Sequence, residues 1–456
     1  MRIFILSQTI EPISEKPTVP SNSDAWMVAA LIATTVILAS VAGTPASIKS
    51  SFLFKDVLHL TASQTSTLGI IMGIPAYLRP FMGAIADLFP VFGFHRKSYY
   101  LIGWLLSATG SIALGLVHSY SVETVVTMSV ISGFGGALIM VMADAVMVSV
   151  GNQTGNVGRY QSLQQFLPMA LGVLGLPLLA GYCAQHWSYN RCFLVGGLIS
   201  LAGVVLVFLM PEKRSLAGPH EGETPEEHAA RLAAKQAERE KTKKALIDAA
   251  RTPGLWVMVI YVFYLIVTPG TNTAQFYFCT NVLHFKPQFF GVLQTYGSAG
   301  AAGGALLFAV VSPRLPVKSM VWGAFLMDCL AYPIGLMLHD PHSAIVVSVV
   351  GGVSGMVYAL CLYTLAARAC PPGIEGTVYG LVISAITLAG ALGDKLGSSI
   401  YDHFGPASHH SIAYGWHALN WFGFAFTIVA AVFIPFLPAW SRSSEPLRPI
   451  KADEAA

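Results

Sequence analysis

Charged side chains inside long apolar stretches are the residues of this sequence with the clearest chemical meaning. A charge at bilayer depth costs at least about 2.5–3.5 kcal/mol on insertion scales, so such a residue usually faces the interior of a helix bundle. There it can bind a polar solute, carry a proton or hold two helices together. Six positions qualify: Arg79, Asp87, Asp144, Asp328, Asp394 and Lys395.

Arg79 is a candidate for binding an anion. It follows Pro75 and precedes Pro80, so it lies where proline interrupts a helix. A guanidinium can bind a carboxylate through two parallel hydrogen bonds, which predicts contact with an anionic substrate. The alternative is a structural partner for Asp144 or for an unpaired backbone carbonyl.

Asp394 and Lys395 are adjacent, so on a helix they point about 100° apart and pair poorly with each other. One of them is expected to face a cavity or the opposing half of the protein. Asp328 has no predicted role beyond an internal hydrogen bond.

A polar helix face is predicted near residue 265. Four residues there are three or four positions apart, which puts them on one face of a helix: Tyr261, Tyr264, Thr268 and Asn272. Such a face predicts a cavity wall that contacts substrate, although Tyr and Thr also make ordinary helix contacts. Pro269 and Gly270 are expected to break the helix near its outer end. Weaker candidates for a cavity lining are Thr34, Thr35, Ser40, Gln161, Gln164, Gln165, Gln275, Tyr358 and Thr364.

The elements that hold these residues are predicted to be membrane helices. The chain has 456 residues, of which 54% are hydrophobic and 11% charged, and its mean hydropathy is +0.62. A soluble domain carries about 25% charged residues, and about 20 apolar residues suffice to cross a bilayer. We therefore predict an all-α membrane protein with twelve transmembrane helices in two six-helix halves. The apolar runs are 26–44, 64–87, 98–118, 124–149, 160–182, 193–210, 254–275, 288–311, 317–338, 343–367, 377–400 and 412–438.

Charge distribution predicts the orientation. With alternating sides, 20 of the 26 Lys and Arg residues fall on the side of the N-terminus, four on the other side and two within the membrane. Because loop Lys and Arg mark the cytoplasmic side, both termini are expected in the cytoplasm of a multi-pass protein of the plasma (inner) membrane. A net charge of +3 is too small to suggest a nucleic-acid partner.

Five regions follow from the run pattern. An N-terminal cytoplasmic segment (1–25) precedes the first half (26–210), a polar linker (211–252), the second half (253–438) and a cytoplasmic tail (439–456). Thr224 and Pro225 begin a predicted charged helix in the linker, for which a regulatory docking role is the alternative. Residues 158–175 echo residues 376–393 at five positions, all offset by 218 residues, which indicates an internal repeat.

Residues 83–97 predict a helix-to-helix latch between the second and third runs. An acidic residue near a helix end is followed by a glycine turn and two bases. We name this set the Asp87 latch: Gly83, Asp87, Gly93, Arg96 and Lys97. Arg368 and Glu375 flank the turn between the tenth and eleventh runs and predict a second latch.

The Asp87 latch resembles that of the major facilitator transporters, except that no base follows Asp87. The inserted Leu-Phe-Pro-Val-Phe at 88–92 resembles the folate–biopterin transporter family. Other segments similar to that family are 54–64, where Ala62 or Ser63 replaces a proline, and 74–80, 268–291 and 370–377.

This resemblance implies the major facilitator fold, with a binding site between the halves. It also implies secondary active transport of a folate- or pterin-like organic solute by alternating access, coupled to protons. Helices one, four, seven and ten line the cavity of such transporters, which makes Asp144 the first candidate for proton coupling; a structural pair with Arg159 or Arg79 is its alternative.

Other functions stay open. A major facilitator could instead carry a nucleoside, sugar or drug, and some relatives of the architecture assist membrane-complex assembly without transporting. An enzyme is not expected, because the apolar runs contain no nucleophile–base pair. Neither a metal nor a cofactor is expected, since the six cysteines are scattered without zinc spacing.

Overall fold

The protein is a bundle of helices. A computed structural model describes residues 22–89, 91–92, 94, 96–154, 157–210, 253–369, 375–405, 407 and 411–437. The linker 211–252 and most of both terminal segments lie outside the described residues. The helices of the first half are α1 (Asn22–Phe52), α2 (Ala62–Met72), α3 (Ile74–Tyr77), α4 (Arg79–Leu88), α5 (Lys97–Leu116), α6 (Val122–Thr154), α7 (Val157–Val173), α8 (Leu176–His186) and α9 (Tyr189–Ala202).

The second half repeats the up-and-down course of the first. Its helices are α10 (Pro253–Ile266), α11 (Asn272–Asn281), α12 (Pro287–Val311), α13 (Val317–Leu336), α14 (Pro341–Ala369), α15 (Glu375–Phe404) and α16 (Ile412–Val429). We call the end of the bundle at which α1 begins the near end, and the end at which α1 finishes the far end.

The fold class is confirmed, but the total of twelve spanning helices is not. Among the described residues, seven helices are long and apolar enough to cross a membrane, or eight if α7 and α8 form one span bent by 57°. Each of the twelve predicted runs is helical, yet several are divided into shorter pieces.

Proline and glycine explain the divisions. The second run is broken into α2, α3 and α4, because Pro75 and Pro80 begin the later pieces and lack the N–H group that would continue the preceding turn. The fifth run bends at Gly175, whose φ of +98° favours glycine, and Pro177 then starts α8.

The internal repeat extends to the far-end turns after α1 and α11. His59 (φ 50°) and His284 (φ 53°) both adopt the left-handed conformation. In each turn the next residue donates its backbone N–H to the carbonyl six residues earlier, Leu60 to Phe54 at 3.0 Å and Phe285 to Cys279 at 3.0 Å. The two halves therefore share a turn geometry as well as a sequence pattern.

The halves contact each other closely at the far end. A Cβ at Gly181 of α8 would lie 2.7 Å from the Gln288 carbonyl of α12, so only glycine permits this approach. Phe52 of α1 packs edge-on against Phe276 and Phe290 of the second half, at centroid distances of 5.0 and 5.8 Å.

Candidate functional site

Charged residues of α15 hold the two halves together at the far end. We call this set the far-end junction; it consists of Ser63 and Ser66 of α2, Thr273 of α11, and Asp394, Lys395 and Asp402 of α15. Four of its residues lie in predicted membrane runs, and Ser63 and Asp402 lie just beside such runs. Hydrogen bonds satisfy their charged and hydroxyl groups.

Lys395 reaches across to the first half. Its ammonium donates to the Ser63 backbone carbonyl at 2.9 Å and to the Ser63 hydroxyl at 2.5 Å. A hydrogen bond to a charged group contributes about 1.5–3 kcal/mol when buried. The expectation that this residue or its neighbour faces the opposing half is therefore met by Lys395.

The two aspartates of α15 cap the first turns of two other helices. Asp402 Oδ2 accepts the backbone N–H of Ser63 at 2.8 Å, and Asp394 Oδ1 accepts that of Thr273 at 3.0 Å. These N–H groups have no partner within their own helices, and a carboxylate at a helix N-terminus also interacts favourably with the helix dipole. Asp394 additionally accepts hydroxyl hydrogen bonds from Thr273 (2.6 Å) and Ser66 (3.2 Å).

The break between α10 and α11 packs directly on α15. The Gly270 N–H donates to the Gly393 carbonyl at 2.8 Å, and a Cβ at Gly393 would lie 2.6 Å from the Thr268 carbonyl. Small residues on α15 therefore bring the interrupted backbone close enough for Asp394 to cap α11.

A cavity of about 580 Å³ is lined by residues of the second half together with Ser51 of α1. We call it the C-half cavity. Ligand pockets usually have volumes of about 300–1,000 Å³, so it is large enough for a small organic molecule. Its polar and aromatic lining includes Asn272, Gln275, Phe276, Asp328, Ser354, Tyr358 and Trp416.

A second cavity of about 390 Å³ lies within the first half and is lined largely by small residues. Its lining includes Ser47, Ser50, Ser107, Ser111, Ser129, Ser132 and Ser200. No charged side chain is among the residues that line it in the described part of the chain, in contrast to the C-half cavity with its Asp328.

The four residues of the polar face predicted near residue 265 do not share one face, because α10 ends at Ile266 and α11 begins at Asn272. Asn272 lines the C-half cavity. Tyr261 is fully buried and donates to the Val321 carbonyl at 3.2 Å. The 3.6-residue period that predicts a common face does not continue across the break between Ile266 and Asn272, which contains Pro269 and Gly270.

Tyr264 and Thr268 also make contacts within the second half. Tyr264 stacks on Phe426 at a centroid distance of 4.8 Å and donates to its carbonyl at 2.9 Å. Thr268 is buried and donates to the Leu265 carbonyl at 3.0 Å, and its hydroxyl lies beside the Asp328 carboxylate.

Asp144 and Arg79 lie in the half of the bundle nearer to the near end. Asp144 Oδ1 accepts a hydrogen bond from the Gln164 amide at 2.6 Å. Arg79 starts α4, is exposed, and lies near enough for its charge to act on Asp144. The structure thus brings one predicted anion-binding residue and the predicted proton-coupling residue to the same region.

Part of the Asp87 latch is described. Arg96 immediately precedes α5, where its carbonyl accepts the Tyr100 N–H at 2.9 Å, and the Lys97 ammonium lies 5.9 Å from the Phe94 ring centroid. Gly83 packs beside Val141 of α6. Gly93 and the side chains of Asp87, Arg368 and Glu375 lie outside the described residues, so both latches stay predictions.

Sequence reasoning missed Asp402 and the two serines of α2. The eleventh predicted run ends at residue 400, two residues before Asp402. A signal existed: Asp394, Ser398 and Asp402 are four residues apart and so share a helix face. In the part of the chain that the structure describes, no three His, Cys, Asp or Glu side chains cluster to hold a metal.

Comparisons with known proteins give the family. The model of the BT1 family matches residues 41–437. A folate-biopterin transporter of Synechocystis is 26% identical over 360 residues, covering 76% of this chain and 69% of that protein. Folate transporter 2 of Plasmodium falciparum is 26% identical over 365 residues, covering 78% and 76%.

Solved transporter structures share the fold. A bacterial homologue of the human lysosomal transporter Spinster, in an inward-facing and unoccupied conformation, has a TM-score of 0.65 at 15% identity and covers 93% of this chain and 98% of that chain. A D-xylose–proton symporter has a TM-score of 0.66 at 14% identity, covering 93% and 100%. The chain therefore has the same fold as these transporters.

Proposed function

The chain belongs to the BT1 family, and we propose that it is a secondary transporter that moves a folate- or pterin-like organic solute across the membrane by alternating access. Two curated relatives carry names of folate transporters. The far-end junction is the observation in this molecule that carries the proposal furthest, because it closes one end of the space between two repeated halves.

The far-end junction consists of hydrogen bonds that water can replace. Lys395, Asp394 and Asp402 hold α2 through its hydroxyl and backbone groups. Water can replace each of these partners, so the net cost of parting them is a small fraction of their strength in a dry interior. Parting α2 from α15 opens the far end, while the near end closes.

Substrate contact is proposed for Arg79 and Asn272. Arg79 is exposed and its fork of N–H groups matches a carboxylate, which a folate-like solute carries. Asn272 presents an amide to the C-half cavity. Tyr261, Tyr264 and Thr268 support this wall through their contacts with α13, α16 and the α10 backbone.

Proton coupling is proposed for Asp144. Its hydrogen bond to Gln164 joins α6 to α7, so a change in its protonation alters a contact between two helices. The near end is proposed to face the cytoplasm, with the protein in the plasma membrane. The Asp87 latch and the Arg368–Glu375 latch are then proposed to hold helices together on the cytoplasmic side, where the excess of Lys and Arg is found.

Uptake by purified protein in liposomes tests this function. Labelled folate and labelled biopterin are supplied outside, with and without a pH gradient. Saturable uptake that the gradient increases is expected. Absence of saturable uptake for either solute would remove the transporter proposal and leave a binding or assembly protein as the alternative.

Asp144→Asn separates coupling from transport. The variant is expected to lose accumulation driven by the pH gradient while it retains exchange of labelled for unlabelled solute. Glu123→Gln, an exposed change at the far-end start of α6, is the matched control. Gradient-driven accumulation by Asp144→Asn at the control level would exclude Asp144 as the coupling group.

A further inference from the structure

Asp328 has a buried carboxyl group, and the resemblance to the folate–biopterin transporter family assigns no role to it. It lies near the middle of α13, is 9% exposed and lines the C-half cavity. Its Oδ2 atom accepts a hydrogen bond from the Thr427 hydroxyl of α16 at 2.9 Å. The Thr268 hydroxyl, two residues after the end of α10, lies beside it.

The groups packed around Asp328 do not balance its charge. Tyr261, Tyr332 and Tyr358 surround it from α10, α13 and α14. All three donate their hydroxyl protons to backbone carbonyls instead, those of Val321 (3.2 Å), Pro269 (3.2 Å) and Leu265 (2.8 Å). Cys329, the next residue in the chain, is a further neighbour with a titratable side chain.

Within the described residues, no Lys, Arg or His nitrogen lies within 4.0 Å of the Asp328 carboxylate. A buried carboxylate without a partner is costly, and a carboxylate can accept about four hydrogen bonds. The two threonine hydroxyls therefore leave acceptor capacity that a ligand in the cavity can use.

The rest of the cavity fits a flat heterocycle. Aromatic walls come from Phe276, Tyr358 and Trp416, and amides come from Asn272 and Gln275. A pterin ring carries a 2-amino group beside a ring N–H, so two parallel donors lie on one edge. The two oxygens of a carboxylate match such a pair in the way that they match a guanidinium.

We propose that Asp328 determines ring specificity, by accepting hydrogen bonds from two adjacent N–H donors on the edge of a pterin-like ring in the C-half cavity. This proposal rests on the proposed function, since it takes the ring from the solute class named there. It assigns to the second half the recognition of the ring, and it leaves the carboxylate end of the solute to Arg79.

Two probe molecules test the ring edge directly. Pterin-6-carboxylate has the paired donors, whereas lumazine-6-carboxylate has a carbonyl in place of the 2-amino group and so presents one donor and one acceptor. Affinities of both for the purified full-length protein are measured by calorimetry. We expect the wild type to bind the pterin roughly tenfold to a hundredfold more tightly, because the lumazine leaves one charged acceptor facing a carbonyl.

Asp328→Asn should reverse the preference. An amide offers one acceptor and one donor, which complement the lumazine edge and mismatch the pterin edge. Asp340→Asn is the control, because Asp340 is a half-exposed carboxylate of the far-end turn that accepts the Ser343 N–H at 2.6 Å, and an amide oxygen can keep that bond. The control should retain the wild-type preference.

The outcomes are distinguishable. If the wild type binds both rings equally, the proposed role of Asp328 is overturned while the proposed folate transport is not. If the Asp328→Asn protein keeps the preference for the pterin, the role of Asp328 is overturned in the same way. A wild type that binds neither ring overturns the proposed function as well. If Asp328→Asn does not fold, the wild-type comparison still decides, extended by the 2-deamino analogue of the pterin, which should bind as weakly as the lumazine.

Discussion

Lys395→Met should open the far end of the bundle. The substitution leaves an unbranched side chain that is one atom shorter, and it removes the ammonium that donates to Ser63 at 2.9 and 2.5 Å. Each charged hydrogen bond contributes about 1.5–3 kcal/mol in a buried setting. Because Lys395 is only partly buried, water offsets much of this, and about 2 kcal/mol is a reasonable total for the pair.

A change of this size is measurable as a population. At about 1.4 kcal/mol per factor of ten, it raises the ratio of far-end-open to far-end-closed molecules about 30-fold. Spin labels at Glu123 of the first half and His342 of the second lie at exposed far-end positions. Pulsed electron–electron distance measurements on the protein in nanodiscs should show a longer distance gaining weight in the variant.

A matched control separates this effect from loss of a charge. Lys286 is an exposed far-end lysine that precedes α12 and makes no side-chain cap to it. Lys286→Met should leave the distance distribution as in the wild type. If Lys395→Met is correctly folded and its distribution also matches the wild type, the reasoning about the far-end junction is refuted.

Two further predictions concern other parts of the same mechanism. Gly181→Leu should favour the far-end-open state, because a Cβ at this position would lie 2.7 Å from the Gln288 carbonyl. The spin-label distance measurement checks this prediction. Gly303→Leu is the control, since nothing lies within 4 Å of a Cβ at Gly303. Arg79→Gln should weaken the binding of pterin-6-carboxylate about tenfold or more but hardly change the binding of unsubstituted pterin, since only pterin-6-carboxylate offers a carboxylate to the guanidinium. Calorimetry measures both affinities. Equal losses of affinity for both ligands would contradict a contact between Arg79 and the substrate carboxylate.

Helix content was predictable because apolar runs of about 20 residues leave few other structures in a bilayer. The breaks were harder to place. The sequence predicts interruptions at Pro75 and Pro80 and a break at Pro269 and Gly270, but the helix already ends at Ile266, which removes the common face predicted for Tyr261 and Asn272. A period describes only a continuous helix, so the assignment of side chains beyond a proline–glycine pair needs the tertiary structure.

Contacts between the halves were predictable only in part. The adjacent charges at 394 and 395 indicated that one would face the opposing half, and both contact α2. Their partners could not be read from the sequence, because they are serine hydroxyls and backbone groups that any helix start provides. Asp402 caps the helix that contains Ser63, which lies 339 residues earlier in the chain. A contact over this separation cannot be predicted from a local sequence pattern.

Solute counterflow tests the central claim most directly. Liposomes containing the protein are loaded with unlabelled folate, diluted into a trace of labelled folate, and followed over time without any ion gradient. A carrier that exposes one site alternately to each side should show transient accumulation of label above the outside concentration. Label that only equilibrates with the outside, or that binds without entering the lumen, would contradict alternating-access transport.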